Sequence, residues 1–322
     1  MDAEAVIRTR DLTRYYGSTI GVEGLTLDIN AGEIFGFLGP NGAGKTTTIR
    51  LLLDLIHPTR GDSLLFGRPS GDSSVRSRVG YLPGELSLDG RMTGGQVLDF
   101  LSALGTRRER SEARREELST RLGLSPSDLL RKVREYSRGM KQKLGLVSAF
   151  QHQPDLLILD EPTTGLDPLV REVVFELMTE ARGRGATVFH CSHVLSEVDR
   201  TCDRVGILRD GRLVSLMTVE EARRAVARSM VVEFEGDPPL EELRDAGLEI
   251  ERSEGRRVVL RVTGKLAPLL KVLGSHPVQH LSFPEPSLED AFNSFYREAP
   301  SEGASGHSGP PNPSLPQTRT GA

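Results

Sequence analysis

Tryptophan is absent from this sequence of 322 residues, and cysteine occurs only twice, as Cys191 and Cys202. The two cysteines form neither a C-x-x-C pair nor a dense pattern, which excludes a small secreted domain held by disulfides and favours a reducing compartment. Lysine is also scarce, since only 6 of the 41 basic residues are lysine. We interpret the resulting excess of arginine as coding bias rather than function.

Long apolar runs are missing as well, both at the N-terminus and inside the chain. Residues 1–11, MDAEAVIRTRD, contain no apolar segment of the kind that a signal peptide has. Nowhere does an apolar run approach the roughly 20 residues that a transmembrane helix needs. The net charge of -4 argues against a dedicated nucleic-acid-binding protein. We therefore expect no nucleic-acid partner and no membrane span in this chain.

The most informative motif is GPNGAGKTT at residues 39–47, which matches the phosphate-binding pattern G-x-x-x-x-G-K-[ST]. Residues 33–38, EIFGFL, predict a buried strand before it, and residues 46–56, TTTIRLLLDLI, predict a helix after it. Glycines let the backbone N–H groups turn inward, and a helix N-terminus attracts anions. We expect Lys45 to contact the β- and γ-phosphates of a nucleotide and Thr46 to contact Mg²⁺.

A second motif, LLILDEP at residues 156–162, predicts a buried strand that ends in two carboxylates. In a parallel sheet Asp160 would lie at the carboxyl edge beside the phosphate loop, where it can hold Mg²⁺ through water. Glu161 follows it and is placed to orient and deprotonate an attacking water molecule. An isolated Asp-Glu pair is as often a polar strand end facing solvent, so the interpretation depends on the phosphate loop upstream.

In the rest of the first 220 residues, the order of predicted strands and helices is typical of an α/β protein. Residues 6–29 alternate apolar and polar side chains around a Tyr-Gly-Ser turn, which predicts antiparallel strands. Residues 86–135 are helical in pattern and highly charged, and such a run is most often a solvated helix face. Apolar runs at 154–161 and 185–192 predict buried parallel strands, separated by a helix at 169–182. This alternation is typical of a sheet covered on both faces.

The pattern changes beyond about residue 222. Predicted strands and helices follow there in the order β-α-β-β-α-β, which is the order of a ferredoxin-like domain. The end of the chain is rich in Pro, Gly and Ser and has almost no large apolar residues, which predicts disorder. We therefore divide the sequence into a nucleotide-binding domain at 1–221 with a helical subdomain at about 86–150, a small α+β domain at 222–298, and a disordered tail at 299–322.

Together these motifs resemble the ATP-binding cassette (ABC) ATPases, and further elements in the family's order extend the resemblance over about residues 7–211. Residues 136–142, YSRGMKQ, correspond to the LSGGQ signature and retain Ser137 and Gly139. Ser137 is a good N-cap for the helix that follows, and Gly139 lets a phosphate approach the helix N-terminus closely. Without the resemblance this segment would be only an ordinary helix cap.

Three single residues complete the resemblance. Tyr16 matches the aromatic residue that stacks on adenine, an interaction that discriminates weakly between bases. Asp167, in GLDP, matches the aspartate of the D-loop, which faces the partner's site. His193 lies 32 residues after Glu161 and corresponds to the switch histidine that hydrogen-bonds the γ-phosphate. A Tyr near a turn and a His after a buried strand are more often structural residues, so both assignments depend on the resemblance.

The sequence departs from the family's pattern at two places. The family has a Gln after the strand end that corresponds to YLP, whereas this chain has Gly84, followed by Glu85. Our hypothesis is that Glu85 takes over the contact. In the signature, Arg138 and Met140 stand where the family has a Gly and the Gln. The resemblance therefore does not extend to the full set of γ-phosphate contacts from that loop, and Arg138 is a candidate for compensating charge.

The resemblance implies an α/β P-loop NTPase core with an antiparallel β subdomain and a helical subdomain, followed by a small α+β C-terminal domain. It implies hydrolysis of ATP with Mg²⁺ by a head-to-tail pair of cassettes, expected to be a homodimer, in which the partner's Ser137 and Gly139 cap each phosphate loop. A separate membrane permease would hold the pair at the cytoplasmic face of the cell membrane. YSRGM and the end motif LEDAFNSFY at 288–296 resemble the branch that exports drugs, antibiotics or polysaccharides.

The candidate site residues follow from these motifs and from the resemblance. Glu161 and His193 are the candidate catalytic residues, and Thr46 and Asp160 are the candidate metal ligands. The candidate nucleotide contacts are Tyr16, Gly39, Pro40, Asn41, Gly42, Ala43, Gly44, Lys45, Thr46, Thr47, Ser137, Gly139 and Asp167.

Three alternatives stay open at this point. A soluble ABC protein of translation or DNA repair usually has tandem cassettes or a long coiled-coil insertion, and neither is visible. A GTPase or a small-molecule kinase shares the phosphate loop but not YSRGM, and the sequence has no N-K-x-D guanine motif. A nucleotide-binding regulator or immunity protein without hydrolysis is the third. The exported compound cannot be read from the chain, because cargo contacts lie in the permease.

Overall fold

The computed structural model describes residues 5–103, 108–225, 228–262 and 267–283. These residues form a six-stranded sheet and two four-stranded sheets. In the part of the chain described, no helix is long and apolar enough to cross a membrane. The mixed central sheet with its helices, the antiparallel sheet beside it and the α+β arrangement near the C-terminus confirm the predicted fold class.

The central sheet carries the candidate site and has the strand order β10-β9-β3-β8-β7-β6. Neighbouring strands from β9 to β6 are parallel, and only the edge strand β10 is antiparallel. The strands are β3 Ile34–Leu38, β6 Val79–Leu82, β7 Leu156–Asp160, β8 Thr187–Ser192, β9 Arg204–Arg209 and β10 Arg212–Thr218.

Every residue of β7 is buried, as the apolar run LLILD predicts. Because side chains alternate along a strand, Leu156 and Ile158 lie in one hydrophobic core and Leu157 and Leu159 in another. The strand is thus fixed from both faces of the sheet, which also fixes the position of Asp160 at its end and of Glu161 directly after it.

An antiparallel sheet with the order β2-β1-β4-β5 packs on one of these faces. Its two long strands are joined by the turn predicted around Gly17, and each is 12 residues long. Ile7, Leu12 and Leu25 from this sheet share a core with Phe35 and Phe37 of β3. The strands are β1 Ala5–Tyr16, β2 Thr19–Asn30, β4 Arg60–Leu65 and β5 Arg68–Pro69.

Helices cover the other face and form the predicted helical region. Helices α3, α4 and α6 contact one another, and their buried side chains belong to the core that contains Leu157 and Leu159. The helices before the C-terminal region are α1 Lys45–Leu52, α2 Ser73–Arg76, α3 Gly94–Ala103, α4 Arg108–Arg121, α5 Pro126–Leu130, α6 Arg138–Phe150, α7 Pro168–Gly183, α8 Leu195–Thr201 and α9 Val219–Ala225, with a 3₁₀ turn at Val133–Glu135.

The helix after the phosphate loop is shorter than its apolar pattern predicts, because it ends at Leu52 rather than at residue 56. Asp54 adopts a left-handed backbone with φ of 54°, which helical residues do not. His57 precedes Pro58, and the residue before a proline is disfavoured in the helical region. Periodicity therefore predicted the helix but not its last turn.

The C-terminal sheet has the order β12-β13-β11-β14, and all its pairings are antiparallel. Two helices, α10 Leu240–Asp245 and α11 Ala267–Leu273, contribute Leu243, Leu269 and Leu273 to its core. The order of elements along the chain is β-α-β-β-α-β. The strands are β11 Arg228–Phe234, β12 Glu249–Glu254, β13 Arg257–Val262 and β14 Val278–Ser282. The motif at 288–296 and the tail at 299–322 lie outside the described residues.

Candidate functional site

The phosphate loop leaves β3 at Leu38 and enters α1 at Lys45, so that it lies at the carboxyl edge of the central sheet. Gly42 and Gly44 have φ values of 84° and 106°, a region that residues with a side chain rarely adopt. No side chain caps the N-terminus of α1. The first N–H groups of the helix are therefore available to an anion.

Two glycines of the loop are required by close packing. A Cβ atom at Gly39 would lie 2.4 Å from the carbonyl oxygen of Leu208, and one at Gly44 would lie 2.3 Å from that of Gly21. Both distances are far inside van der Waals contact. The loop is thus pressed against β9 on one side and β2 on the other, which fixes its shape before a ligand binds.

Lys45 is folded back onto the loop that precedes it. Its Nζ atom donates hydrogen bonds to the carbonyl oxygens of Gly39 at 2.6 Å and Pro40 at 3.2 Å. The side chain is only 7% exposed and lies 4.0 Å from Oε1 of Glu161. A buried ammonium group held this way is a preformed partner for phosphate oxygens.

Thr46 and Asp160 lie together, as predicted for a pair of metal ligands. The Thr46 hydroxyl donates to Oδ2 of Asp160 at 3.1 Å. Burial raises the pKa of Asp160 and nearby Glu161 adds to that rise, whereas the Thr46 hydrogen bond and Lys45 lower it. Desolvation of this kind is relieved by a cation next to the carboxylate.

The donor set fits Mg²⁺, which prefers oxygen ligands and is normally held by one or two carboxylates together with waters and substrate phosphates. Within the described residues no group of three His, Cys, Asp or Glu side chains could hold a metal ion alone. The hydroxyl of Thr46 and the carboxylate of Asp160 would therefore hold Mg²⁺ only in combination with nucleotide phosphates.

Glu161 has an unusual backbone conformation, which the amino-acid sequence does not predict. Its φ is 52°, in the left-handed region, which costs a residue of this type on the order of 1 kcal/mol. Its N–H donates to the carbonyl of Cys191 at 2.9 Å, and its own carbonyl accepts from the side-chain amide of Gln142 at 3.2 Å. These bonds hold the backbone of Glu161 in this conformation.

His193 and Glu161 are hydrogen-bonded to each other, with 2.7 Å between Nδ1 and Oε2. The other carboxylate oxygen, Oε1, is buried and has no hydrogen-bond partner among the described residues. His193 is half-exposed, whereas Glu161 is only 18% exposed. One oxygen of Glu161 is thus oriented by His193, and the second is free to accept a proton from a water molecule.

A buried network behind these residues connects the two strand ends. Oε2 of Glu197 accepts hydrogen bonds from Thr163 at 2.9 Å and from Ser192 at 3.3 Å. Ser192 in turn accepts from the N–H of Val194 at 3.0 Å. Since Thr163 lies two residues after Glu161 and Ser192 directly precedes His193, the network connects the two segments that carry the candidate catalytic residues.

These residues surround one depression of about 730 Å³, within the size range of ligand sites. Tyr16 lies at its rim with 42% of its surface exposed, next to the guanidinium group of Arg14 at 5.1 Å from the ring centroid. A ring exposed in this way can stack on a base. The predicted residues that border the depression are Tyr16, Pro40, Asn41, Gly42, Gly44, Lys45, Thr46, Thr47, Asp160, Glu161 and His193.

Five predicted nucleotide contacts do not border this depression. Gly39 and Ala43 belong to the phosphate loop but are buried. Ser137 caps α6 by accepting a hydrogen bond from the N–H of Met140 at 3.2 Å, and Asp167 caps α7 through the N–H of Val170 at 3.0 Å. Gly139 packs against the carbonyl of residue 165. The last three therefore stay predictions for a site completed by a second subunit.

Two contacts at this site escaped sequence reasoning. The buried Gln142 donates to the carbonyls of Glu161 and Pro162, at 3.2 and 3.1 Å. A Gln on the apolar side of α6 was the available signal in the sequence.

Gly84 stands where the family has a Gln. Its N–H donates to the Asp160 carboxylate, and a Cβ atom at this position would lie 3.2 Å from Oδ2 of Asp160. The glycine thus brings the backbone to Asp160, the candidate metal ligand, where the family has an amide side chain.

A second depression, of about 720 Å³, lies near the amino ends of β1 and β7 and is bordered by Phe66, Arg78 and Arg184. The guanidinium group of Arg78 lies 3.7 Å from the Phe66 ring centroid and bonds Asp155. Ligands of open α/β sheets bind outside the carboxyl ends of the strands. The depression at the phosphate loop is therefore the functional candidate.

Comparison with known proteins decides the family. Residues 22–164 match the ABC transporter family. Over 298 residues the chain is 33% identical to the bacitracin transport ATP-binding protein BcrA of Bacillus licheniformis, an alignment that covers 89% of this chain and 96% of that relative. The chain belongs to the ABC transporter ATP-binding proteins. This ABC protein is also 35% identical to the Nod factor export ATP-binding protein I of Cupriavidus metallidurans, over 89% of this chain and 96% of the relative.

Solved structures agree with this assignment. An ATP-binding subunit of an ABC transporter superposes with a TM-score of 0.64 and 32% identity, covering 68% of this chain and 92% of that chain. A dimeric bacterial ABC transporter cassette has a TM-score of 0.61 at 21% identity, over 66% of this chain and 98% of that one, and shows the fold alone. The resemblance seen in the sequence is thus confirmed, and the protein is an ABC ATPase.

Proposed function

We propose that this ABC ATPase couples ATP hydrolysis to the export of antibiotics or similar compounds through a separate permease at the cytoplasmic face of the cell membrane. The relatives named for bacitracin transport and for Nod factor export support export and a cargo of this type. The observation that carries the proposal is the Glu161–His193 pair, placed at neighbouring strand ends beside Lys45.

The chemistry that these residues perform is transfer of a phosphoryl group to water. Backbone N–H groups of the phosphate loop and Lys45 hold the β- and γ-phosphates, which positions the terminal phosphate at the edge of β7. Mg²⁺, held by Thr46 and Asp160, would supply charge compensation to the phosphates. Glu161 accepts the proton of the attacking water through Oε1, while His193 holds Oε2 and reaches the terminal phosphate with its other ring nitrogen.

The working unit is a head-to-tail pair of copies of this chain. Ser137, Gly139 and Asp167 match the family's motifs in the sequence but do not border the depression of their own chain. Leu169, beside Asp167, is 80% exposed, as a residue covered by a second subunit would be. The partner's Ser137 and Gly139 would then close over the terminal phosphate, and opening after hydrolysis would move the permease.

Replacement of Glu161 tests the catalytic assignment. A Glu161→Gln variant keeps the side-chain size but cannot accept the proton, so we expect ATP binding to persist and the hydrolysis rate to fall by roughly two to four orders of magnitude. Glu116→Gln is a matched control, because Glu116 is exposed on α4. Hydrolysis by the Glu161 variant at the rate of the control would remove Glu161 from the role of general base.

Transport is tested with the permease. Inverted vesicles that contain the chain and its genomically neighbouring permease should accumulate a labelled peptide antibiotic with ATP, and a Lys45→Ala subunit should abolish this uptake. Co-purification with ribosomes rather than membranes would instead favour a soluble ABC protein. Absence of phosphate release even with the permease would favour a nucleotide-binding regulator.

A further inference from the structure

We propose that Gln142 is a positioning residue for ATP hydrolysis, which acts by holding the backbone of Glu161. The inference rests on the proposed function, because it presupposes that Glu161 accepts the proton of the attacking water. Gln142 does not border the depression at the phosphate loop. Its effect on hydrolysis must therefore pass through the residues that it contacts.

The backbone of Glu161 needs support from other segments. Its φ of 52° lies in the left-handed region, whereas a residue that precedes a proline, here Pro162, favours an extended backbone. A conformation of this kind persists only where the surrounding contacts impose it. We therefore expect the Glu161 carboxylate to lose its place beside His193 and Lys45 when those contacts are removed.

Gln142 supplies two of these contacts from a helix that is distant in the sequence. Its Nε2 atom donates hydrogen bonds to the carbonyl oxygens of Glu161 at 3.2 Å and Pro162 at 3.1 Å. The N–H of Thr164 also donates to the Glu161 carbonyl, at 3.2 Å, but Thr164 belongs to the same turn as Glu161. The amide of Gln142 thus ties the turn after β7 to α6.

The packing of α6 does not by itself require an amide at this position. Gln142 is only 6% exposed, and the buried residues Leu144, Leu146 and Val147 that follow it on α6 are apolar. Burying an amide costs free energy that burying an apolar side chain does not, unless the amide is hydrogen-bonded. Both bonds of Nε2 go to the backbone of Glu161 and Pro162, so the amide stabilises the segment that carries the carboxylate.

A double-mutant cycle tests whether Gln142 acts through Glu161. Hydrolysis of radiolabelled ATP is measured for the full chain with its permease, as wild type, Gln142→Met, Glu161→Gln and the double variant. Gln142→Met removes the donor but keeps the side-chain length. It should lower kcat roughly 10- to 100-fold, as a small misplacement of a catalytic group does, and leave KM unchanged. In the Glu161→Gln background the same change should have almost no effect on the residual rate.

Gln151→Met is the matched control, because Gln151 is a buried amide at the end of the same helix whose Nε2 donates to the carbonyl of Leu98, at 3.5 Å. It should leave kcat unchanged. Gln142→Asn keeps the amide but is one methylene group shorter, so it should also lower kcat, and it decides the question if Gln142→Met does not fold.

Two outcomes would overturn the inference. Equal fold losses in both backgrounds, or a rise in KM without a fall in kcat, would show that Gln142 has a structural role that does not depend on Glu161. A normal kcat for the Gln142 variants beside a slow Glu161→Gln would show that the backbone of Glu161 does not need the amide. If Glu161→Gln itself hydrolyses ATP at the wild-type rate, the proposed function fails instead.

Discussion

His190 lies inside the central sheet and should make the stability of this protein depend on pH. Its side chain is fully buried, and neither ring nitrogen has a hydrogen-bond partner among the described residues. Desolvation lowers its pKa from 6.5 to about 4. A protonated ring here would be an unpaired charge in a core, so the folded chain keeps it neutral.

The sign and size of the effect follow from proton linkage. Between pH 6.5 and pH 4 the unfolded chain binds a proton at His190 that the folded chain does not, so stability falls as the pH falls through this window. From pH 7 to pH 5 this single residue should remove about 2 kcal/mol from the free energy of unfolding. The loss comes from the unfolded state, because the folded ring stays neutral throughout.

Replacing His190 isolates its contribution to the pH dependence of the free energy of unfolding. Urea unfolding of wild type and of His190→Leu is followed by circular dichroism at pH 7 and at pH 5. For each protein the free energy of unfolding at pH 5 is subtracted from that at pH 7, and the two losses are compared. The leucine variant should lose about 2 kcal/mol less than wild type on acidification. His57→Gln is the control, since the His57 side chain is 84% exposed. Identical pH dependence of wild type and His190→Leu would show that the buried ring accepts a proton in the folded state, and the reasoning would be wrong.

Two further predictions concern the phosphate loop and the buried network behind Glu161 and His193. Gly44→Ala should destabilise the chain by at least about 2 kcal/mol in urea unfolding and abolish ATP binding, because its φ is 106° and its Cβ would lie 2.3 Å from the carbonyl of Gly21. Gly42→Ala, with open space around it, should cost less, and equal costs would contradict the packing argument. Thr163→Val removes the buried donor to Glu197 and should cost about 1 to 3 kcal/mol, whereas Thr163→Ser should retain most of the stability. A valine variant as stable as the serine variant would show that the bond contributes nothing.

The sequence predicted those parts of the molecule that depend on local pattern. The phosphate loop has a defined spacing of Gly and Lys45, and the runs before Asp160 and His193 are apolar enough to be read as buried strands. Because parallel strands end at one edge of a sheet, these ends could be placed together without a structure. The assignment of roles to Tyr16 and His193 needed the family resemblance.

What the sequence could not predict depends on contacts between distant segments. The bonds of Gln142 to the carbonyls after β7 span 19 and 20 residues, and nothing in the local pattern specifies them. The direction of Arg138 depends on the packing of α6 against Gly165. The early end of α1 depends on Asp54, whose left-handed backbone competes with an apolar pattern that favours a longer helix.

The backbone of Glu161 has a consequence for how such a site can change over generations. Glycine, asparagine and aspartate adopt its left-handed conformation more readily than glutamate does. Selection for yield or thermal resistance alone would therefore favour losing the glutamate, whereas selection for turnover would oppose that loss, given the role of general base that we propose for Glu161. Duplicated copies that no longer need turnover would drift toward subunits that bind the nucleotide without hydrolysing it. Their folded state would become more stable as they did so.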